Sequence, residues 1–252
     1  MKIVVFGGTG LIGSKVVVKL QALGHDAVAA SPSTGVDMVT GQGVAAVLEG
    51  AQVVVDMANS PSFEDQAAMD FFQNAGRNLT AAETTAGIKL HVALSVVGTE
   101  QLQDSGYFRA KLAQETLVKS SPIPYTLLHA TQFFEFLRGI AQSATDGTSV
   151  RLSHALIQPM AAEDVAMSVV EAALSPAVNS TIEVGGPEIF HLDELIGRVL
   201  AYDKDSRTVI SDPNARYFGL KLSETSLIPG KSAKLGPTRF DWWLSHVAPP
   251  KK

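Results

Sequence analysis

The chain sets short apolar runs against longer stretches in which apolar residues recur every three or four positions. Ile3-Val4-Val5-Phe6 and Val53-Val54-Val55 are rich in β-branched residues and do not alternate with polar ones. Such runs predict strands buried on both faces, as in a parallel sheet covered by helices. The stretch 62–86 places Phe63, Met69, Phe72, Leu79 and Ala82 along one side of a helix. The same spacing predicts helices over 14–23, 42–49, 107–119, 133–144, 163–174, 192–201 and near 240–247. Strands are expected over 1–6, 26–30, 36–39, 52–58, 89–95, 125–130, 180–184 and, at an edge, 149–152. Gly24, Gly50 and Gly87 stand just past three of the helices, where a left-handed cap favours glycine. Strand and helix alternate up to about residue 130, which predicts an α/β, doubly wound parallel sheet.

Length and composition narrow this further. At 252 residues, 46% of them hydrophobic, the chain has material for one large core, with or without a small appended lobe. The net charge of −5 and the lack of any basic tract give no reason to expect nucleic-acid binding. There is no cysteine, which excludes disulfides, thiolate catalysis and cysteine-held zinc. The opening apolar run breaks at Gly7, so it does not read as a signal peptide, and no stretch approaches membrane-spanning length. A cytoplasmic monomer or homodimer acting on a small molecule is the expectation. His25, His91, His129, His154, His191 and His246 show no i, i+3 or i, i+4 pairing, so no metal site is expected.

Candidate chemistry begins where the first strand ends. Gly7-Gly8-Thr9-Gly10-Leu11-Ile12-Gly13 turns the chain and opens a helix. Glycine lets the backbone approach a phosphate closely, and the helix start offers amide hydrogens and a positive dipole end. The glycines at 7, 10 and 13 give G-x-x-G-x-x-G after a strand and before a helix, the arrangement of a dinucleotide site. A second constellation lies mid-chain. Ser95 ends a strand, at the sheet edge where open α/β proteins bind ligands. Tyr107 and Lys111 follow one helical turn apart on one face. An ammonium beside a phenol favours the phenolate, which would let Tyr107 exchange a proton near neutral pH. Ser95 would then hydrogen-bond the reacting oxygen. No acid stands at the end of the second strand, and the hydroxyls of Ser31, Ser33 and Thr34 could meet a 2′-phosphate. This favours NADP, with NAD open, since the loop has no arginine.

Both motifs resemble those of the short-chain dehydrogenase/reductase superfamily, in its extended and atypical branch. The resemblance covers nearly the whole chain and is sharpest before residue 135. It implies polarisation of the substrate oxygen by Ser95, acid–base work by Tyr107, and ribose binding with pKa lowering by Lys111. It implies cofactor contacts from Gly7, Thr9, Gly10, Leu11, Ile12 and Gly13. It adds Asp37 and Met38 at the adenine edge, and Ala58, Asn59 and Ser60 beside the nicotinamide ribose. Thr131, Gln132 and Phe133 would frame the carboxamide, in text similar to the NmrA-like NAD(P)-binding subgroup. It also implies a substrate lobe built from about 133–160 and 186–252 within a single NAD(P)-binding domain over 1–252. Phe133, Phe134, Phe136, Leu137, Leu156 and Ile157 would line its pocket, and Arg239, Phe240, Trp242 and Trp243 would pack the tail. Two functions follow from this reading: an NADP(H)-dependent reductase of a carbonyl, quinone or similar electrophile, or a non-catalytic redox sensor. Tyr107 counts against the sensor, since such regulators often lack it. Sugar-nucleotide epimerisation is a third, disfavoured by the absence of an arginine cluster for a diphosphate.

Overall fold

The computed structural model describes residues 1–246. Up to residue 130 it alternates β1 (Lys2–Phe6), α1 (Gly13–Ala22), β2 (Asp26–Ala30), α2 (Val44–Leu48), β3 (Val53–Asp56), α3 (Asp65–Ala86), β4 (Leu90–Val96), α4 (Gly106–Ser120) and β5 (Tyr125–Ala130). Then come α5 (Leu137–Ser143), β6 (Thr145–Asp146), β7 (Ser149–Leu152), β8 (Leu156–Ile157), α6 (Ala162–Leu174) and β9 (Ser180–Gly185). The chain ends with β10 (Phe190–His191), α7 (Leu192–Tyr202), β11 (Thr208–Ser211), β12 (Lys234–Leu235) and α8 (Phe240–His246). A seven-stranded parallel sheet takes the order β12-β9-β5-β4-β3-β1-β2, flanked by helices in a Rossmann-type α/β fold. The residues divide into two compact units, 1–129 with 165–182, and 130–164 with 183–246 among those described.

In the first unit, β1 has strands on both sides, β2 pairing Val4 with Val28 and β3 pairing Val4 with Val54. Residues 3–6 are accordingly fully buried, which is why the run has no polar alternation. Phe6, Val54, Leu48 and Leu79 pack in one core between sheet and helices, and Met38 is part of it. Chain order reverses at β1: β2 lies on one side and β3 on the other. Open α/β sheets bind ligands at such a switch point, beyond the carboxyl ends of the strands.

The expected strand over 36–39 does not form. Gly35, Gly41 and Gly43 all have φ between 73° and 82°. The Asp37 carboxylate accepts the Val39 amide at 2.8 Å, curling the segment into a turn. The helix expected from 42 therefore starts only at Val44.

In the second unit, β7 is central rather than an edge strand, paired with β6 on one side and β11 on the other. The helix expected over 133–144 is broken. Phe133 forms a parallel bridge with Met160 and Phe134 to Phe136 make a 3-10 turn, so the α-helix begins at Leu137. Phe134, Phe240 and Trp243 form an aromatic core, with Phe134 centroids 5.5 Å and 5.2 Å from the other two. Phe240 and Trp243 pack as expected, whereas Trp242 and Arg239 face outward. Val247 lies outside the described residues. The Asp164 carboxylate accepts the Thr238 amide and hydroxyl at 2.9 Å each and so ties down the tail.

Candidate active site

The glycine turn sits at the switch point. Gly7 has φ +70°, and a Cβ there would lie 2.7 Å from the Met57 carbonyl oxygen. At Gly13 a Cβ would collide with the Gly7 carbonyl, and at Gly8 with Ala29. These three glycines are required by backbone packing. Gly10 differs: its Cβ would meet only the Gly7 oxygen, at 3.2 Å. Thr9, Gly10 and Leu11 are exposed, whereas Ile12 is buried. Helix α1 opens with no capping side chain and no acid in its first turn. The backbone there suits an anion such as a nucleotide diphosphate.

At the end of β2, the Ser31–Thr34 loop folds on itself. The Thr34 hydroxyl oxygen accepts the Ser31 amide at 2.9 Å and lies 3.0 Å from the Ser31 carbonyl. The Ser31 and Ser33 hydroxyls are 2.8 Å apart. Thr34 is thus committed to shaping the loop, and Ser33 is the exposed hydroxyl of the pair. Met38 is buried in the core, and its carbonyl accepts a hydrogen bond from Asn78. Beyond β3, the Asp56 carboxylate accepts the Ala58 amide at 3.0 Å, and Ser60 accepts the Ser62 amide at 3.2 Å. Both bonds fix the segment that carries Asn59.

Helix α4 packs against α3 and presents four polar residues at the carboxyl edge of β3 and β4. Tyr107 donates to Asn59 Oδ1 at 3.1 Å and sits among the rings of Phe63, Phe72 and Phe108. Lys111 is 3% exposed. Its ammonium donates to the Leu94 carbonyl at 2.9 Å and to Gln114 Oε1 at 2.5 Å, and lies 4.8 Å over the Phe72 ring. Gln114 in turn donates to Asp56 at 2.7 Å. Ser95 is buried and donates to Glu115 Oε1 at 2.6 Å, and His129 Nε2 lies 2.8 Å from the same oxygen.

The electrostatics follow from burial. Desolvation lowers the Lys111 amine to about 8, although the charges of Asp56 and Glu115 oppose this. Burial would raise Glu115, yet hydrogen bonds and charge from His129, with Ser95 and Lys119 adding to them, hold it at about 2. For Tyr107 the direction is opposite to that expected. Burial pushes the phenol up to about 12, and the Asn59 hydrogen bond offsets only part of this. The lysine's donors point to Leu94 and Gln114, so its charge is spent on acceptors other than the phenol.

The first unit thus brings the glycine turn, Asn59, Ser95, Tyr107 and Lys111 to the ends of β1, β3 and β4, which neighbour one another. Sequence reasoning missed Asp56, Gln114 and Glu115. The signal was present in the last two: they follow Lys111 by three and four residues, on the same helical face as a lysine that must be buried to work.

In the second unit, Thr131 Oγ1 and Gln132 Oε1 are buried without a hydrogen-bond partner among the described residues. Buried polar atoms are nearly always paired, so both have capacity for a polar ligand group. Phe133 is 9% exposed and stacks on Phe136, centroids 5.2 Å apart. Of the six expected pocket residues, Phe134, Leu137 and Ile157 are wholly buried core and Phe133 is nearly so, which leaves Phe136 and Leu156 to reach the surface.

No family model matches the chain, and no curated protein matches it. Solved structures do. MoeE5 in complex with UDP-glucose and NAD is 17% identical, with 97% of this chain and 96% of that one covered and a TM-score of 0.76. A short-chain dehydrogenase/reductase superfamily protein from Agrobacterium tumefaciens with bound NAD is 16% identical, covering 97% and 95%, with a TM-score of 0.74. A dTDP-4-dehydrorhamnose reductase from Clostridium acetobutylicum is 15% identical, covering 89% and 88%, with a TM-score of 0.70. The chain has the fold of these proteins.

Proposed function

We propose that this protein is an NAD(P)-dependent oxidoreductase of the short-chain dehydrogenase/reductase type that acts on a small carbonyl or quinone substrate, with NADP the preferred cofactor. The observation that carries the reading is the buried Lys111. It is held at the carboxyl end of β4 by the Leu94 carbonyl and by Gln114, one turn from Tyr107, with only β3 between β4 and the strand that ends in the glycine turn. A lysine is seldom buried unless it is paired, and this one lies where the fold binds ligands.

The residues present fit a dinucleotide. Thr9, Gly10, Leu11 and the start of α1 would hold its diphosphate, and Lys111 its nicotinamide ribose. When bound, the nicotinamide supplies the hydride. Ser31 and Ser33, with no acid beside them, leave room for a 2′-phosphate. The resemblance assigns Thr131, Gln132 and Phe133 to the carboxamide. Tyr107 passes its proton to the reacting oxygen. The protonated form stabilised by burial is the form that a reductase needs.

A second reading takes its substrate class from the neighbours, among them a dTDP-4-dehydrorhamnose reductase and MoeE5 in complex with UDP-glucose. Both readings are tested by following NADPH and NADH oxidation with a panel of aldehydes, ketones, quinones and nucleotide sugars. Tyr107→Phe is expected to lower kcat by about 10²–10⁴-fold, while nucleotide affinity, measured by calorimetry, is retained. Affinity without turnover of any panel member would favour the redox-sensor reading, and equal turnover by wild type and Tyr107→Phe would contradict the assigned role.

A further inference from the structure

We infer that Asn59, rather than Ser95, is the side chain that sets the Tyr107 hydroxyl at the reaction site. The inference rests on the oxidoreductase reading and refines it. A serine hydroxyl has one proton to give. That of Ser95 goes to Glu115 Oε1 at 2.6 Å, inside the protein. A bond of this length to a carboxylate is charge-assisted and about twice as strong as a neutral one. The carboxylate is itself fixed, with His129 2.8 Å from Oε1 and Lys119 3.3 Å from Oε2. Thr99 offers Ser95 no substitute: its hydroxyl lies 3.4 Å away and donates to the Val96 carbonyl at 2.6 Å. A substrate oxygen that reached Ser95 would meet lone pairs and no proton.

Tyr107 is placed differently. Its hydroxyl bonds to Asn59, an exposed residue on the segment that β3 delivers to the sheet edge. The rings of Phe63, Phe72 and Phe108 pack about the phenol. The nearest charges on α4 itself are engaged elsewhere: Arg109 with Asp65 of α3, and Lys111 with Leu94 and Gln114. An amide suits a group that cycles between two protonation states. Its oxygen accepts from the neutral phenol. Once the phenol has given up its proton, the amide nitrogen can turn to donate to the phenolate, and a bond to a charged oxygen is the stronger of the two. Asn59 thereby holds the hydroxyl in place and assists its ionisation. It acts through Tyr107 and is a positioning residue.

The test needs no bound nucleotide. With tyrosine carbon-13 labelled at Cζ and the Tyr107 signal assigned by its absence in Tyr107→Phe, the resonance is compared at neutral pH in Asn59→Ala and Ser95→Ala. The inference predicts a shift in Asn59→Ala and no shift in Ser95→Ala; the reverse pattern overturns it, as does an unmoved signal in Asn59→Ala. On a substrate that turns over, Asn59→Ala is expected to lower kcat by about tenfold and move the pH profile of kcat to alkaline values. Ser95→Ala is expected to keep the shape of that profile, and a displaced profile in Ser95→Ala would count against the inference. Failure to bind nucleotide would remove the oxidoreductase reading but leave the resonance result to decide the Asn59–Tyr107 geometry.

Discussion

Lys111 is an ammonium in a place that solvates charge poorly. Its folded pKa is lowered to about 8 from 10.5, chiefly by desolvation. Between these values the unfolded chain keeps a proton that the folded chain has released. Stability should therefore rise with pH across that window. Tyr107 acts in the opposite sense only above its ordinary value of 10, because its folded pKa is raised to about 12. Denaturant unfolding at pH 8 to 10 thus isolates the lysine. Wild type should gain stability over this range relative to Lys111→Met, and parallel curves for the two proteins would show that the amine is not desolvated. Tyr107 and Lys111 could both be named from their spacing. What their electrostatics would be could not, because spacing says nothing of where a lysine's three donors point. The bonds to Leu94 and Gln114 are tertiary facts.

At the scale of elements, the strand ends and helix starts carry the site, and the glycine turn joins one to the other. A Cβ at Gly13 would strike the Gly7 carbonyl, so α1 could not start where it does. Gly13→Ala is expected to destabilise the fold by about 1–3 kcal/mol and to remove nucleotide binding, checked by urea unfolding and calorimetry. Gly10→Ala, which meets only one oxygen at 3.2 Å, should leave stability nearly intact while weakening binding. The strands buried on both faces were legible because Ile3 to Phe6 of β1 and Val53 to Val55 of β3 are unbroken apolar runs, with Lys2 and Asp56 only at their ends. The segment 36–39 misled because its apolar residues do pack in the core. Glycine conformations and the Asp37 turn decide its backbone, and they override the residue pattern. Glu115 and Gln114 escaped notice for a related reason. Polar residues on a helix read as a solvated face, yet α4 turns these two inward to hold Ser95 and Lys111.

Over the whole molecule, the order β12-β9-β5-β4-β3-β1-β2 places the reversal of strand order at β1, and every functional claim depends on that edge being a nucleotide site. A ligand bound only by the folded state stabilises it by RT ln(1 + [L]/Kd), about 2.7 kcal/mol at a hundredfold excess over Kd. Nucleotide should therefore raise the melting temperature as well as release heat. The most direct measurement is isothermal titration calorimetry of the purified protein with NADPH, NADP, NADH and NAD. Saturable binding of one nicotinamide nucleotide per chain, tighter for the NADP pair and abolished by Gly13→Ala, is the predicted result. Absence of saturable heat for all four, with the wild-type protein shown to be folded, would contradict the account at its base.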